Sequence, residues 1–389
     1  WICCERVSEN VTQDSTATGA PSQATEAARP SMDRAAFERI LTFGVERGIS
    51  DLHFEVGHPP HLRLQGDLLP AKYPPLRGED TEAIAQLLLG AEGLEDFHAT
   101  HQERDVTYSI DGVSRFRATV FWQQGRVGVV MRVIPLVIRN FEQLNLPTSL
   151  DDVCLARRGL ILVTGATGNG KTTTMAAMLQ RINQTRRAHV VTIEDSIEFL
   201  YPKEKALVIQ REVGSDTQSY REALTAAMRQ DPDIIMLGEV RDSETAEICL
   251  KAAETGHLVL TAIHTPDAMR TIQRFIGLFP AEDHEAARLP LAEAIKARVS
   301  LRLLPAYDGH GRVPAVELMR VTRTLQECIR NPDKVGEIPQ HVAKGRDLYG
   351  MQTFDQHLLD MAQKKRVTLE VARMAASNPE EFERSLTIE

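Results

Sequence analysis

Between the apolar run LILV and the segment MAAML stands GATGNGKTTT, residues 165–174. Gly165, Gly170, Lys171 and Thr172 satisfy G-x-x-x-x-G-K-[ST], a spacing suited to holding phosphates. Glycines let the backbone close around phosphate oxygens with N–H groups turned inward, and a helix starting there adds partial positive charge. Lys171 is placed to reach β- and γ-phosphates and the Thr172 hydroxyl to ligate Mg²⁺. Residues Gly165, Ala166, Thr167, Gly168, Asn169, Gly170, Lys171, Thr172 and Thr173 are therefore expected to bind a nucleoside triphosphate.

DPDIIMLGEVRD (231–242) carries an apolar strand that delivers Glu239 to its carboxyl end, where ligands of open α/β sheets collect. A carboxylate there orients or deprotonates an attacking water, which separates hydrolysis from binding. HVVTIEDSIEF (189–199) places Glu194, Asp195 and Glu198 after another strand. Acids clustered near phosphates repel them unless a cation intervenes, so Mg²⁺ or its water shell is their natural partner, with Glu194 the candidate metal-site acid. In ETGHLVLTAIHT, His257 precedes a strand and His264 follows it. From residue types alone, these two are either structural or a pair that senses the terminal phosphate.

These groups need a scaffold. LILVT, HVVTI, DIIMLG and HLVLTAI are short apolar strands alternating with helical stretches, the pattern of βαβ units in a largely parallel sheet covered on both faces. Upstream, SMDRAAFERILTFGVERG reads as a helix capped by Ser31 and ended before Gly48. SDLHFEV alternates as a strand, HLRLQGDLL turns at Gly66, and a helix is expected over Thr81–Leu89. DVTYSI, SRFRATVF and VGVVMRVI then complete an antiparallel sheet ending near Pro135. The expected organisation is a disordered tail (1–30), an α+β domain (31–135), a linker (136–147), a nucleotide-binding core (148–280) and a mostly helical region (281–389) with one strand-like piece, RVPAVELM.

Composition narrows the function. With 389 residues, 42% apolar and 25% charged, the chain has material for two or three domains. Its net charge of −9 disfavours nucleic acid as a partner. Five scattered cysteines, none in C-x-x-C spacing, argue against disulfide frameworks or structural zinc and fit reduced thiols in a cytoplasmic setting. No apolar run approaches the ~18 residues of a membrane span. The first thirty residues lack the apolar segment of a signal peptide, and the start at Trp1 suggests a trimmed or mis-started chain.

In order, GATGNGKTTT, TIEDSIEF, QREVGSDT, DPDIIMLGEVRDSET and AAETGHLVLTAIHT resemble the Walker A, aspartate, Walker B and histidine boxes of the secretion/pilus ATPase superfamily. RGISDLHFEVGHPPHLRLQGDL, SRFRATVFWQQGRVGVVMRVIP and GMQTFDQHLL are similar to the type IV pilus retraction (twitching-motility) ATPases, over about Asp33 to past Leu359. The resemblance implies an ATP- and Mg²⁺-dependent ATPase with a PAS-like N-terminal domain and a RecA-like motor domain. It also implies a homohexamer with ATP between subunits, acting at the cytoplasmic face of the inner membrane on a pilus platform protein, in some systems beside a paralogous motor. It makes Glu239 the catalytic carboxylate, with Glu194 and Glu198 in the aspartate box and His257 and His264 in the histidine box. Arginines of the N-terminal sheet reach the nucleotide; Arg117 and Arg132 are the expected pair, with Arg115 next.

Departures are few. Ala166 and Asn169 stand where the family usually has Pro and Ser, and Ser196 where it has Pro. LQECIRN (325–331) keeps Ile329 and Arg330 of a helix tied to retraction but lacks its first arginine, as expected of an accessory retraction motor. Pilus assembly and secretion ATPases carry paired C-x-x-C insertions, which are absent here. A nucleic-acid translocase and a non-hydrolysing regulatory subunit are the remaining alternatives.

Overall fold

The computed structural model describes residues 32–64, 66–134, 137–265 and 268–387; the expected tail, the Ser31 cap and Pro135 lie outside the described residues. The chain forms two compact units, Trp1–Leu136 and Val137–Glu389.

The first unit runs α1 (Arg34–Glu46), β1 (Asp51–Phe54), β2 (His61–Leu64), β3 (Asp67–Pro70), α2 (Gly78–Thr100), β4 (Arg104–Ile110), β5 (Ser114–Gln123) and β6 (Arg126–Ile134). Asp33 caps α1, its Oδ1 accepting the Ala36 N–H at 2.6 Å, the role the sequence pattern suggested for Ser31. Helix α2 is longer than expected and breaks at Gly90, whose φ of +73° no helix accommodates. The strands form one antiparallel sheet in the order β3-β2-β1-β6-β5-β4, with the β2–β3 hairpin turning at Gly66 as expected. Alternation gives the sheet two faces. Phe54, Phe116, Ala118, Val120 and Met131 enter a core with Phe37, Leu41 and Ile84, while Arg115 and Arg117 project from the other face of β5.

The second unit contains α3 (Leu150–Cys154), β7 (Gly159–Thr164), α4 (Lys171–Thr185), β8 (His189–Glu194), β9 (Leu207–Glu212), α5 (Tyr220–Ala227), β10 (Ile234–Leu237), α6 (Ser243–Glu254) and β11 (Leu258–Ile263). It continues with α7 (Ala268–Ile276), α8 (His284–Ala294), β12 (Ile295–Pro305), β13 (Arg312–Arg320), α9 (Arg323–Arg330), α10 (Ile338–Lys344), α11 (Arg346–Tyr349), α12 (Phe354–Gln363), α13 (Leu369–Ala375) and α14 (Pro379–Thr387). Seven strands order as β13-β12-β7-β11-β10-β8-β9, parallel except for β13. The sheet is buried on both faces: along β7, Leu160 and Leu162 enter one core and Ile161 and Val163 the other. Phe141 and Leu146, in the expected linker, pack into the second of these.

Two strands differ from the sequence reading. Strand β9 lies at the sheet edge, and β12 sits between β7 and β13 although the stretch beyond Pro280 showed only one strand-like piece. Its residues Lys296, Arg298, Ser300 and Arg302 hide the apolar pattern. Arg298 is fully buried nonetheless, paired with Glu317 of β13 and donating to Ser300 Oγ at 2.6 Å. Among the described residues no helix is long and apolar enough to cross a membrane, and Cys154, Cys249 and Cys328 are buried free thiols.

Candidate active site

Parallel strands point their carboxyl ends to one edge, so β7, β8, β10 and β11 deliver the phosphate loop, Glu194, Glu239 and His264 to the same side of the sheet. The loop passes from Thr164 into α4 through Gly165, Gly168 and Gly170 at φ +148°, +80° and +84°, values that favour glycine. Helix α4 begins at Lys171 with no side-chain cap and no acid in its first turn, leaving the first N–H groups for an anion. These features fit the triphosphate of ATP.

Lys171 is largely buried. Its Nζ donates to the carbonyls of Gly165 at 3.0 Å and Ala166 at 3.1 Å and lies 3.3 Å from His264 Nδ1. Burial lowers its pKa. His264 Nε2 in turn is 2.7 Å from Glu239 Oε2. Because an ammonium only donates, Nδ1 accepts and Nε2–H donates to Glu239, which is the neutral imidazole. Burial and then the Lys171 and Arg241 charges lower the His264 pKa, which favours that form. Glu239 also pairs with Arg241, and Arg241 donates to Asp195 at 2.8 Å. One polar chain thus joins the phosphate-loop lysine, the catalytic-carboxylate candidate and the aspartate box.

Gly238 makes this approach possible. A Cβ there would fall 2.5 Å from the Tyr220 hydroxyl, and its N–H donates to Ile193 at 2.8 Å, seating Glu239 beside the end of β8. Glu194, only 5% exposed, accepts from Thr192 Oγ1 at 2.7 Å and Gln210 Nε2 at 3.4 Å. Burial pushes its carboxyl up to about 7, opposed by those two hydrogen bonds. Glu198 is exposed, with its charge close enough to raise Glu194 further. The buried Glu194 carboxyl and the half-buried Thr172 hydroxyl, both at the carboxyl-end edge of the sheet, are hard oxygen donors of the kind Mg²⁺ takes.

His257 is not brought to this edge. It precedes β11, at the amino end of the strands, with Nδ1 2.9 Å from the Ala252 carbonyl; six residues of strand, about 20 Å, separate it from His264. Its place in the sequence bracketed the strand, and a strand holds its two ends apart. Arg241, Thr192, Gln210 and Tyr220 were not singled out from sequence. The alternation in GEVRD, which sets Glu239 and Arg241 on one side of an extended chain, was the available signal for the first.

In the N-terminal unit Arg117 and Arg132 are register partners on β5 and β6, and Arg115 lies two residues along the same face. Arg117 meets Asp105 at 3.3 Å; Arg132, 74% exposed, meets Asp51 at 2.9 Å. The structure therefore groups all three arginines on one face of their own unit, Arg117 and Arg132 exposed and Arg115 half-buried.

Comparison with known proteins identifies the family. Residues 115–377 match the family described as type II/IV secretion system protein. The type IV pilus retraction ATPase PilT of Pseudomonas aeruginosa is 41% identical over 343 residues, 88% of this chain and 98% of that protein. The type IV pilus ATPase PilU of the same organism is 38% identical over 86% of this chain and 87% of its own length. The crystal structure of the pilus retraction motor PilT with bound ADP superposes with a TM-score of 0.82 at 40% identity, covering 89% of this chain and 98% of that one. With its phosphate loop, its Lys171–His264–Glu239 chain and this likeness along nearly its whole length, the chain belongs to the type II/IV secretion system protein family and, within it, to the type IV pilus retraction ATPases.

Proposed function

We propose that this ATPase acts as a homohexameric ring whose Mg-ATP-driven domain rotation retracts type IV pili. The carrying observation is the Lys171–His264–Glu239 chain, which ties a phosphate-binding lysine to a water-activating carboxylate. Glu239 would orient the attacking water, His264 would hold Glu239, and Lys171 would exchange its loop carbonyls for phosphate oxygens. Thr172 and Glu194 would hold Mg²⁺, which when bound offsets the charge of the phosphates.

The arginines supply the case for a ring. Arg115, Arg117 and Arg132 share one face of the sheet, and positive charge of this kind stabilises phosphoryl transfer when a neighbouring subunit brings nucleotide to it. Closure of each N-terminal domain over ATP, with rotation about residues 136–147, would then move the ring against an inner-membrane platform protein. The motor would sit at the cytoplasmic face, held to the membrane through that machinery. The departure in LQECIRN favours accessory work beside a paralogous retraction motor as the second reading. Net charge of −9 supports a protein partner over nucleic acid.

Deletion of the coding region tests this reading. Hyperpiliated, non-motile cells are expected; bald cells would assign the protein to assembly, and unaltered piliation and motility would remove it from primary retraction.

A further inference from the structure

Strand β12 outruns its neighbour. It pairs with β7 as far as Ser300↔Thr164, where β7 ends, yet continues along β13 to Pro305. The segment 301–304 therefore presents backbone groups with no strand on the β7 side, and the phosphate loop curls over that edge. Three contacts join them. The Thr164 and Ser300 hydroxyls hydrogen-bond to each other, both fully buried. The carbonyl of Leu301 lies where a Cβ on Gly165 would come within 2.7 Å, so the loop leaves β7 pressed against β12. At the loop's tip, Asn169 Oδ1 accepts the Leu303 N–H at 3.3 Å.

The third contact is the informative one. Asn169 stands between Gly168 and Gly170, both at positive φ with open space around them, where the backbone has the most freedom to lose on binding. Ala166 and Thr167 are exposed, and the ties to the Ala166 carbonyl, from Lys171 Nζ at 3.1 Å and the Asn169 N–H at 3.2 Å, stay within the loop and the start of α4. The other end of the tie is firm. Arg302, next along β12, lays its guanidinium 3.9 Å from the Phe354 ring centroid and donates to the Ala375 carbonyl at 2.5 Å, fixing the strand to α12 and α13. One side-chain amide thus connects a glycine-flanked tip to a strand held from both sides.

We propose that Asn169 is a positioning residue for the ATPase reaction: its amide satisfies the overhanging Leu303 N–H and holds the phosphate loop open before nucleotide arrives. It acts through the loop, lowering the ordering that binding must impose. This rests on the reading of residues 165–173 as the phosphate site.

The test compares wild type, Asn169→Ala, Asn169→Ser (too short to reach Leu303) and Lys171→Ala by ADP titration, steady-state hydrolysis and amide hydrogen exchange over 301–305. Expected for both Asn169 variants is a 5–20-fold rise in the dissociation constant for ADP, a KM that rises by more than kcat falls, and about tenfold faster exchange at Leu303 in nucleotide-free protein. ADP affinity within twofold of wild type, or unchanged exchange at Leu303, would overturn the proposal. If Lys171→Ala binds ADP like wild type, the phosphate-site reading fails instead.

Discussion

His264 donates its Nε2 proton to the Glu239 carboxylate across 2.7 Å. With Nδ1 turned to the Lys171 ammonium, the imidazole has a fixed tautomer and a defined task, holding the carboxylate in register with the phosphate loop. His264→Ala should lower kcat by about 10²-fold, the scale of a misplaced general base, while ADP affinity changes less than about fivefold. Steady-state hydrolysis alongside ADP titration checks this. Because the pKa of His264 lies below its ordinary 6.5, the imidazole should stay neutral on acidification past that value before protonation turns Nδ1–H against Lys171. The ring-nitrogen NMR shifts of His264 report its state separately from the Glu194 carboxyl, and a charged imidazole at pH 7 would contradict the assigned tautomer.

Glu194 gives a second pH dependence, in stability. Its folded carboxyl titrates near 7 against 4.5 for a free one, so the folded state holds more protons between those values. Its contribution is fully present below pH 4.5, declines through the window and is gone above 7. The difference is at most about 3 kcal/mol. Glu194→Gln, neutral throughout, should raise the Tm of nucleotide-free protein at pH 8 and flatten its change between pH 5 and 8. An identical Tm-versus-pH slope in wild type and variant would refute the burial argument.

The Arg298–Glu317 pair is buried between β12 and β13 beneath the phosphate loop. Removing one partner strands the other, so Arg298→Met or Glu317→Leu alone should cost about 3–5 kcal/mol. The double variant should recover most of that. Thermal or denaturant unfolding of the four proteins measures the coupling; additive losses would show that the two side chains act independently.

The arginine face makes the opposite prediction. Arg117 pairs with the exposed Asp105, and such pairs contribute about 0–1 kcal/mol; Arg132 is itself exposed, and the buried Asp51 it meets has Arg63 at 3.7 Å as a second partner. Arg117→Ala and Arg132→Ala should therefore leave Tm almost unchanged yet reduce hydrolysis by about 10³-fold if a ring brings them to nucleotide. Full turnover in both variants would remove the arginines from the reaction.

What could be read from sequence follows burial. Strands β7, β8, β10 and β11 are apolar on both faces and declare themselves as runs such as LILVT and DIIML, and the loop that must follow β7 carries its own spacing. Strand β12 does not. Its Arg298 is polar in sequence and buried in space, because Glu317, distant in the chain, neutralises it. His257 misled for a related reason: proximity in sequence to His264 became separation along an extended strand. Gln210 and Thr192 act on Glu194 through side chains from two strands, a relation that pairing between β8 and β9 alone creates.

The most direct test of the account is the behaviour of Glu239→Gln with ATP. The amide keeps the shape of the carboxylate but loses its charge and basicity, so the protein should bind ATP within about threefold of wild type and hydrolyse it at about 1% of the rate or less. Wild-type turnover in that variant would contradict the account at its centre.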